Sequence, residues 1–113
     1  MSTKPDPKEK EIEKLNEGVC NVVESLSVIG SKWKLTILYD LQEDEKRFNE
    51  LKRSTGASSY TLSRVLDSLR EDGMVQKRIE QDAPIATYYS LTEKSKGLCP
   101  VFDALDEWGE NWL

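Results

Sequence analysis

"SSYTLSRVLDSLREDGMV", residues 58–75, is the stretch on which the fold turns. On a helical period Leu62, Val65, Leu66 and Leu69 fall within about 100° of one another, so that side packs inward. Ser58 can accept from the unpaired N–H groups of the first turn, and Gly73 can take up the left-handed conformation that stops the helix. Opposite the leucines stand Ser59, Tyr60, Ser63 and Arg64, with Asp67 and Glu71 one and two turns later. A helix entering a DNA major groove by its N-terminal end needs this polarity, with hydrogen-bonding side chains first and acids farther out. An ordinary surface helix also sets polar residues opposite its apolar stripe, so the flanking segments decide.

Upstream, "KRFNELKRSTG" offers a brief extended piece around Phe48, then a short helix over 49–54 closed by Gly56. Downstream the period changes. "MVQKRIEQ" and "ATYYSL" are rich in β-branched and aromatic residues, and the "DAPI" between them holds a proline that cannot continue a ladder. The short helix, the "TGA" turn and the helix from Ser58 make a helix-turn-helix, and the hairpin supplies its wing.

Outside this centre, "SKWKLTILYDL" reads as an amphipathic helix with Ser31 as N-cap and Trp33, Ile37, Leu38 and Leu41 on one side. Ile12, Leu15 and Val19, then Val22, Val23, Leu26 and Ile29, recur at helical spacing, which predicts a short leading helix and a core helix ending at Gly30. Residues 1–11, charged and with two prolines, are expected to be a flexible arm, leaving 12–113 as a single domain. Thr92 can cap a helix through "TEKSKGL", and Pro100 suits the first turn of a last helix over Val101–Leu113. The expected fold is mainly α (α+β), in the order α-α-(β)-α-α-β-β-α.

Composition narrows the function. At 113 residues the chain holds one core, and no apolar run approaches the ~20 residues of a membrane span. The charged N-terminus lacks the apolar stretch of a secretory signal, so a cytoplasmic location is expected, with no membrane partner. There is no histidine, and the two cysteines, Cys20 and Cys99, stand far apart. Zinc ligation and Ser-His or Cys-His catalysis therefore lack their ligands, and neither an enzyme, a metal nor a cofactor is expected. The formal charge is −5, yet residues 46–80 hold eight basic and five acidic residues and are +3, leaving the remainder at −8. A basic middle on an acidic body suits a partner approaching from one side.

The segments "GSKWK…IL" (Gly30 to Leu38), "RFNEL" (Arg47 to Leu51), Leu62 through "DGMV" to Val75, and "YSLTEK" (Tyr89 to Lys94) together resemble the HxlR-type winged helix-turn-helix regulators of bacteria and archaea. The resemblance spans roughly 95 residues. It implies a homodimeric transcription factor on a pseudo-palindromic operator, with the helix from Ser58 in the major groove, the hairpin at the flanking backbone and the outer helices forming the dimer. The dimer residues so implied are Ile12, Leu15, Val19, Val101, Leu105, Trp108 and Trp112; the last four also form an apolar stripe that one small core can hardly cover.

The DNA-binding residues expected are Lys32, Arg47, Lys52, Arg53, Ser58, Ser59, Tyr60, Ser63, Arg64, Lys77 and Arg78. Arg47 and Arg64 rank first, because arginine matches the geometry of phosphates and guanine edges. Family members often carry a cysteine where Cys20 stands, and in some it senses oxidants, so the resemblance makes Cys20 a candidate redox sensor, with a small core residue as the alternative; Asn21 replaces the usual following proline. The wing departs from the family in having Ala86 where an arginine is common, so its contact is expected at the DNA backbone through Lys77 or Arg78. A small-molecule effector is compatible with this reading, although no residue identifies one. The rival is a winged-helix protein-protein interaction module without specific DNA binding.

Overall fold

A computed structural model describes residues 21–113. These fall into two bodies, one ending at Ser31 and the other running from Lys32 to Leu113. The first contains α1, helical over residues 21–29 and closed where the Gly30 N–H donates to the Leu26 carbonyl at 2.6 Å. The sequence places Val22, Val23 and Leu26 of this helix in a core, but all three are more than half exposed. Helical spacing marks a face as apolar without saying what covers it. Ile12, Leu15, Val19 and Cys20 lie outside the described residues.

The second body runs α2 (Lys32–Asp40), β1 (Lys46–Arg47), α3 (Phe48–Thr55), α4 (Ser59–Glu71), β2 (Val75–Glu80), β3 (Ala86–Leu91), α5 (Glu93–Lys96) and α6 (Cys99–Trp112). Its centre is six side chains at 0% exposure: Ile37 and Leu38 from α2, Leu51 from α3, and Leu62, Leu66 and Leu69 from α4. Burying each contributes about 1.5–3 kcal/mol, which is why α4 can sit in only one rotational setting. Val65, read as part of the same stripe, is half-buried at its margin. On the sheet side Met74, Val75, Tyr89 and Leu91 close the core, and Phe102 enters from α6 edge-on to Tyr39 at 6.0 Å.

The sheet has the order β1-β3-β2, antiparallel throughout. Val75 pairs with Leu91 and Lys77 with Tyr89, so the face they share meets the core where the body lies beneath it. Arg78 pairs with Tyr88 and Arg47 with Tyr88, on the opposite, outward face. The predicted hairpin is therefore present, with a third strand of two residues added at its edge.

Three local devices hold the helix-turn-helix in place. Gly56 and Gly73 adopt φ of 74° and 70°, the left-handed region that ends α3 and turns the chain after α4. The Asp40 carboxylate accepts from Lys46 Nζ at 2.7 Å and from Ser54 Oγ, tying the end of α2 to β1 and α3. Thr92 Oγ1 donates to the Gly73 carbonyl at 2.6 Å and Lys94 Nζ to the Asp72 carbonyl at 2.7 Å. Carbonyls at the C-terminal end of α4, which no helical N–H can reach, are thus satisfied by the start of α5. The last helix starts at Cys99, two residues before its predicted start, with Pro100 in its first turn.

Candidate nucleic-acid interface

The outward side of α4 is as the leucine ridge dictates. The Ser58 hydroxyl accepts from the Thr61 N–H at 3.1 Å, which fixes the first turn. Ser59, Tyr60, Ser63 and Arg64 are all exposed, Tyr60 by 69%. Arg64 Nη1 donates to Tyr60 Oη at 3.2 Å, with the guanidinium 5.6 Å from the ring centre. A shallow groove beside this pair is lined by Lys34 of α2 together with Thr61, Val65 and Ser68. The first turns of α4 thus present the Arg64 guanidinium, held on an aromatic ring, beside the hydroxyls of Ser59, Tyr60 and Ser63.

Of the cations expected at phosphates, Lys52 and Arg53 are exposed on α3, Lys77 is exposed on β2, and Lys32 lies 5.3 Å over the Trp33 ring. Arg47 directly precedes α3, where its backbone N–H donates to Glu50 Oε1 at 3.2 Å. Its guanidinium turns across the sheet instead, and Nε and Nη2 donate to Tyr88 Oη at 3.1 and 2.9 Å. Arg78 lies on the other flank of the same ring, 4.4 Å from its centre. Its Nη2 donates to Glu45 Oε1 at 2.7 Å and its Nη1 to Glu80 Oε2 at 2.6 Å, and these two hydrogen bonds raise its pKa well above the usual range.

Sequence reasoning named Arg47 and Arg78 but missed Tyr88, Glu45 and Glu80. Strand alternation could have set Tyr88 beside Arg78, since both lie on one face of a hairpin. Nothing in the pattern brings Glu45, in the loop before β1, to Arg78, 33 residues later. At the wing tip Gln81 to Ile85 are exposed, with Ile85 exposed by 76%. On the core side Tyr89 has its pKa raised by burial; Asp67 adds to the rise and Arg70 opposes it.

The α6 helix buries Phe102 and leaves Val101, Leu105, Trp108 and Trp112 exposed by 43–74%, in a stripe at spacings of four, three and four. Cys99 is half-buried at the start of this helix. Among the described residues no cluster of His, Cys, Asp and Glu could hold a metal ion, and no helix is long and apolar enough to cross a membrane.

A model of the HxlR-like helix-turn-helix family matches residues 28–113. The chain belongs to that family. It is 46% identical over 87 residues to an HTH-type transcriptional regulator of Halalkalibacterium halodurans, covering 75% of this chain and 77% of that one. Among solved structures, the redox regulator HypR in its reduced form superposes with a TM-score of 0.75 at 36% identity, over 80% of this chain and 91% of that one. The HTH-type regulator YtcD does so with 0.76 at 35%, over 80% and 93%. The HxlR-like chain is accordingly a DNA-binding transcriptional regulator with a winged-helix fold, mainly α with a β wing.

Proposed function

We propose that this HxlR-like regulator binds a pseudo-palindromic operator as a homodimer, with α4 in the major groove and Arg64 reading a base edge. The carrying observation is that the fully buried Leu62, Leu66 and Leu69 turn Ser59, Tyr60, Ser63 and Arg64 out together. Arg47, Lys52, Arg53 and Lys32 serve as phosphate contacts that set register, while Lys77 serves the flanking backbone from the wing. The exposed α6 stripe is the dimer face, and Ile12, Leu15 and Val19, outside the described residues, are the further interface residues. Two copies so joined would hold their reading helices about one helical turn, roughly 34 Å, apart. Residues 12–113 act as one functional unit behind the charged arm of 1–11, in the cytoplasm and without a catalytic role.

The test is selection of duplexes from a random pool, followed by titration across salt concentrations. Operator binding should yield two inverted half-sites and an affinity that falls by a log-log slope of about 0.9 per phosphate contact. A salt-insensitive complex, or no enriched sequence, would favour a winged helix that docks proteins instead.

A redox response through Cys20 is supported by the 36% identity to HypR, described as a redox regulator. Cys20→Ser should keep operator binding and lose any response to diamide; an unchanged response would clear Cys20 of the role.

A further inference from the structure

The row Arg47, Tyr88, Arg78 runs straight across the sheet, one residue from each strand, because Tyr88 is the register partner of both arginines. Two guanidiniums beside one ring repel each other, so each needs a reason to stay. For Arg78 the reason is a pair of carboxylates, Glu45 and Glu80, at 2.7 and 2.6 Å. For Arg47 it is the phenol oxygen, which accepts from two of its nitrogens, together with the ring 5.2 Å from its central carbon. The two arginines therefore differ in kind. Arg78 is neutralised where it stands, whereas Arg47 touches no carboxylate through its side chain and its Nη1 makes no hydrogen bond among the described residues.

An arginine that binds a phosphate loses the freedom of a long side chain, and prior immobilisation removes part of that cost. We propose that Tyr88 is a positioning residue of the DNA interface: its hydroxyl holds the Arg47 guanidinium ready for a phosphate, and carboxylate-bound Arg78 braces the ring. This rests on the DNA-binding reading above and deepens it. It also reassigns Arg78 from a backbone contact to a support, since a phosphate reaching it has two carboxylates to displace and to be repelled by.

The experiment is a double-mutant cycle of Tyr88→Phe and Arg47→Ala, titrated at several salt concentrations against a labelled duplex selected by the wild-type protein. Tyr88→Phe keeps the ring and removes the acceptor; it should weaken binding about three- to tenfold with an unchanged salt slope and an unchanged melting temperature. Arg47→Ala should lower the slope by about 0.9. In the Arg47→Ala background, Tyr88→Phe should have no further effect, a result that a merely structural role for Tyr88 would not give. The proposal is overturned if Tyr88→Phe binds like the wild type, or weakens binding by the same factor with Arg47 absent. It is equally overturned if Arg47→Ala keeps the full slope, an outcome that leaves the DNA reading standing. Failure of the wild type to select any duplex would instead remove the reading beneath it.

Discussion

Replacing Leu66 by alanine tests the setting of the reading helix at its root. The substitution deletes three carbons from a side chain that is 0% exposed and lies between Leu62 and Leu69, which are equally buried. At about 0.8 kcal/mol per carbon the transfer loss alone is ~2.4 kcal/mol. A cavity enclosed by three helices relaxes only in part, which raises the cost to about 3–4 kcal/mol. Urea unfolding followed by far-ultraviolet circular dichroism should show the midpoint falling by roughly 2 M with its slope unchanged. Val65→Ala, half-buried on the same helix, should cost about 1 kcal/mol or less. If Leu66→Ala is as mild as Val65→Ala, the leucine ridge is not what fixes α4, and the outward placement of Arg64 loses its physical basis.

Trp108→Ala with Trp112→Ala should raise the dimer dissociation constant at least about thirtyfold in sedimentation velocity, as expected for two exposed aromatic anchors at an interface; unchanged self-association would place the dimer elsewhere. Asp40→Asn weakens the charged link to Lys46 and should cost about 0.5–1.5 kcal/mol in the same urea assay, the pair being partly solvent-screened. A Tyr89 pKa raised by burial contributes stability that is complete below its ordinary value near 10 and is lost as pH rises further. Tyr89→Phe should therefore flatten the alkaline limb of the melting-temperature profile above pH 10, and an unaltered limb would contradict that assignment.

The helix-turn-helix was legible because each of its signals is local. The 62-66-69 ridge, the Ser58 cap and the glycines at 56 and 73 act within a few residues, and all occupy the predicted places. The hairpin showed through its change of period. What stayed hidden depends on contacts distant in sequence: the pairing of the expected extended piece, β1, with β3, Asp40 as the junction of three elements, and the meeting of Arg47, Arg78 and Glu45 around Tyr88. The sequence put Arg78, with Arg47, among the DNA contacts, because a sequence shows how many cations exist and not which of them carboxylates hold. The exposed faces of α1 and α6 show the complementary limit, since helical spacing marks a face as apolar without saying what covers it.

The most direct measurement is the affinity of Arg64→Ala, beside the wild type, for the selected duplex and for a duplex of scrambled sequence. Loss of a base-reading guanidinium should weaken binding to the selected duplex about 5- to 150-fold, while binding to the scrambled one changes far less. Equal losses on both would make Arg64 a phosphate contact, and no loss on either would mean that the outward face of α4 does not read DNA.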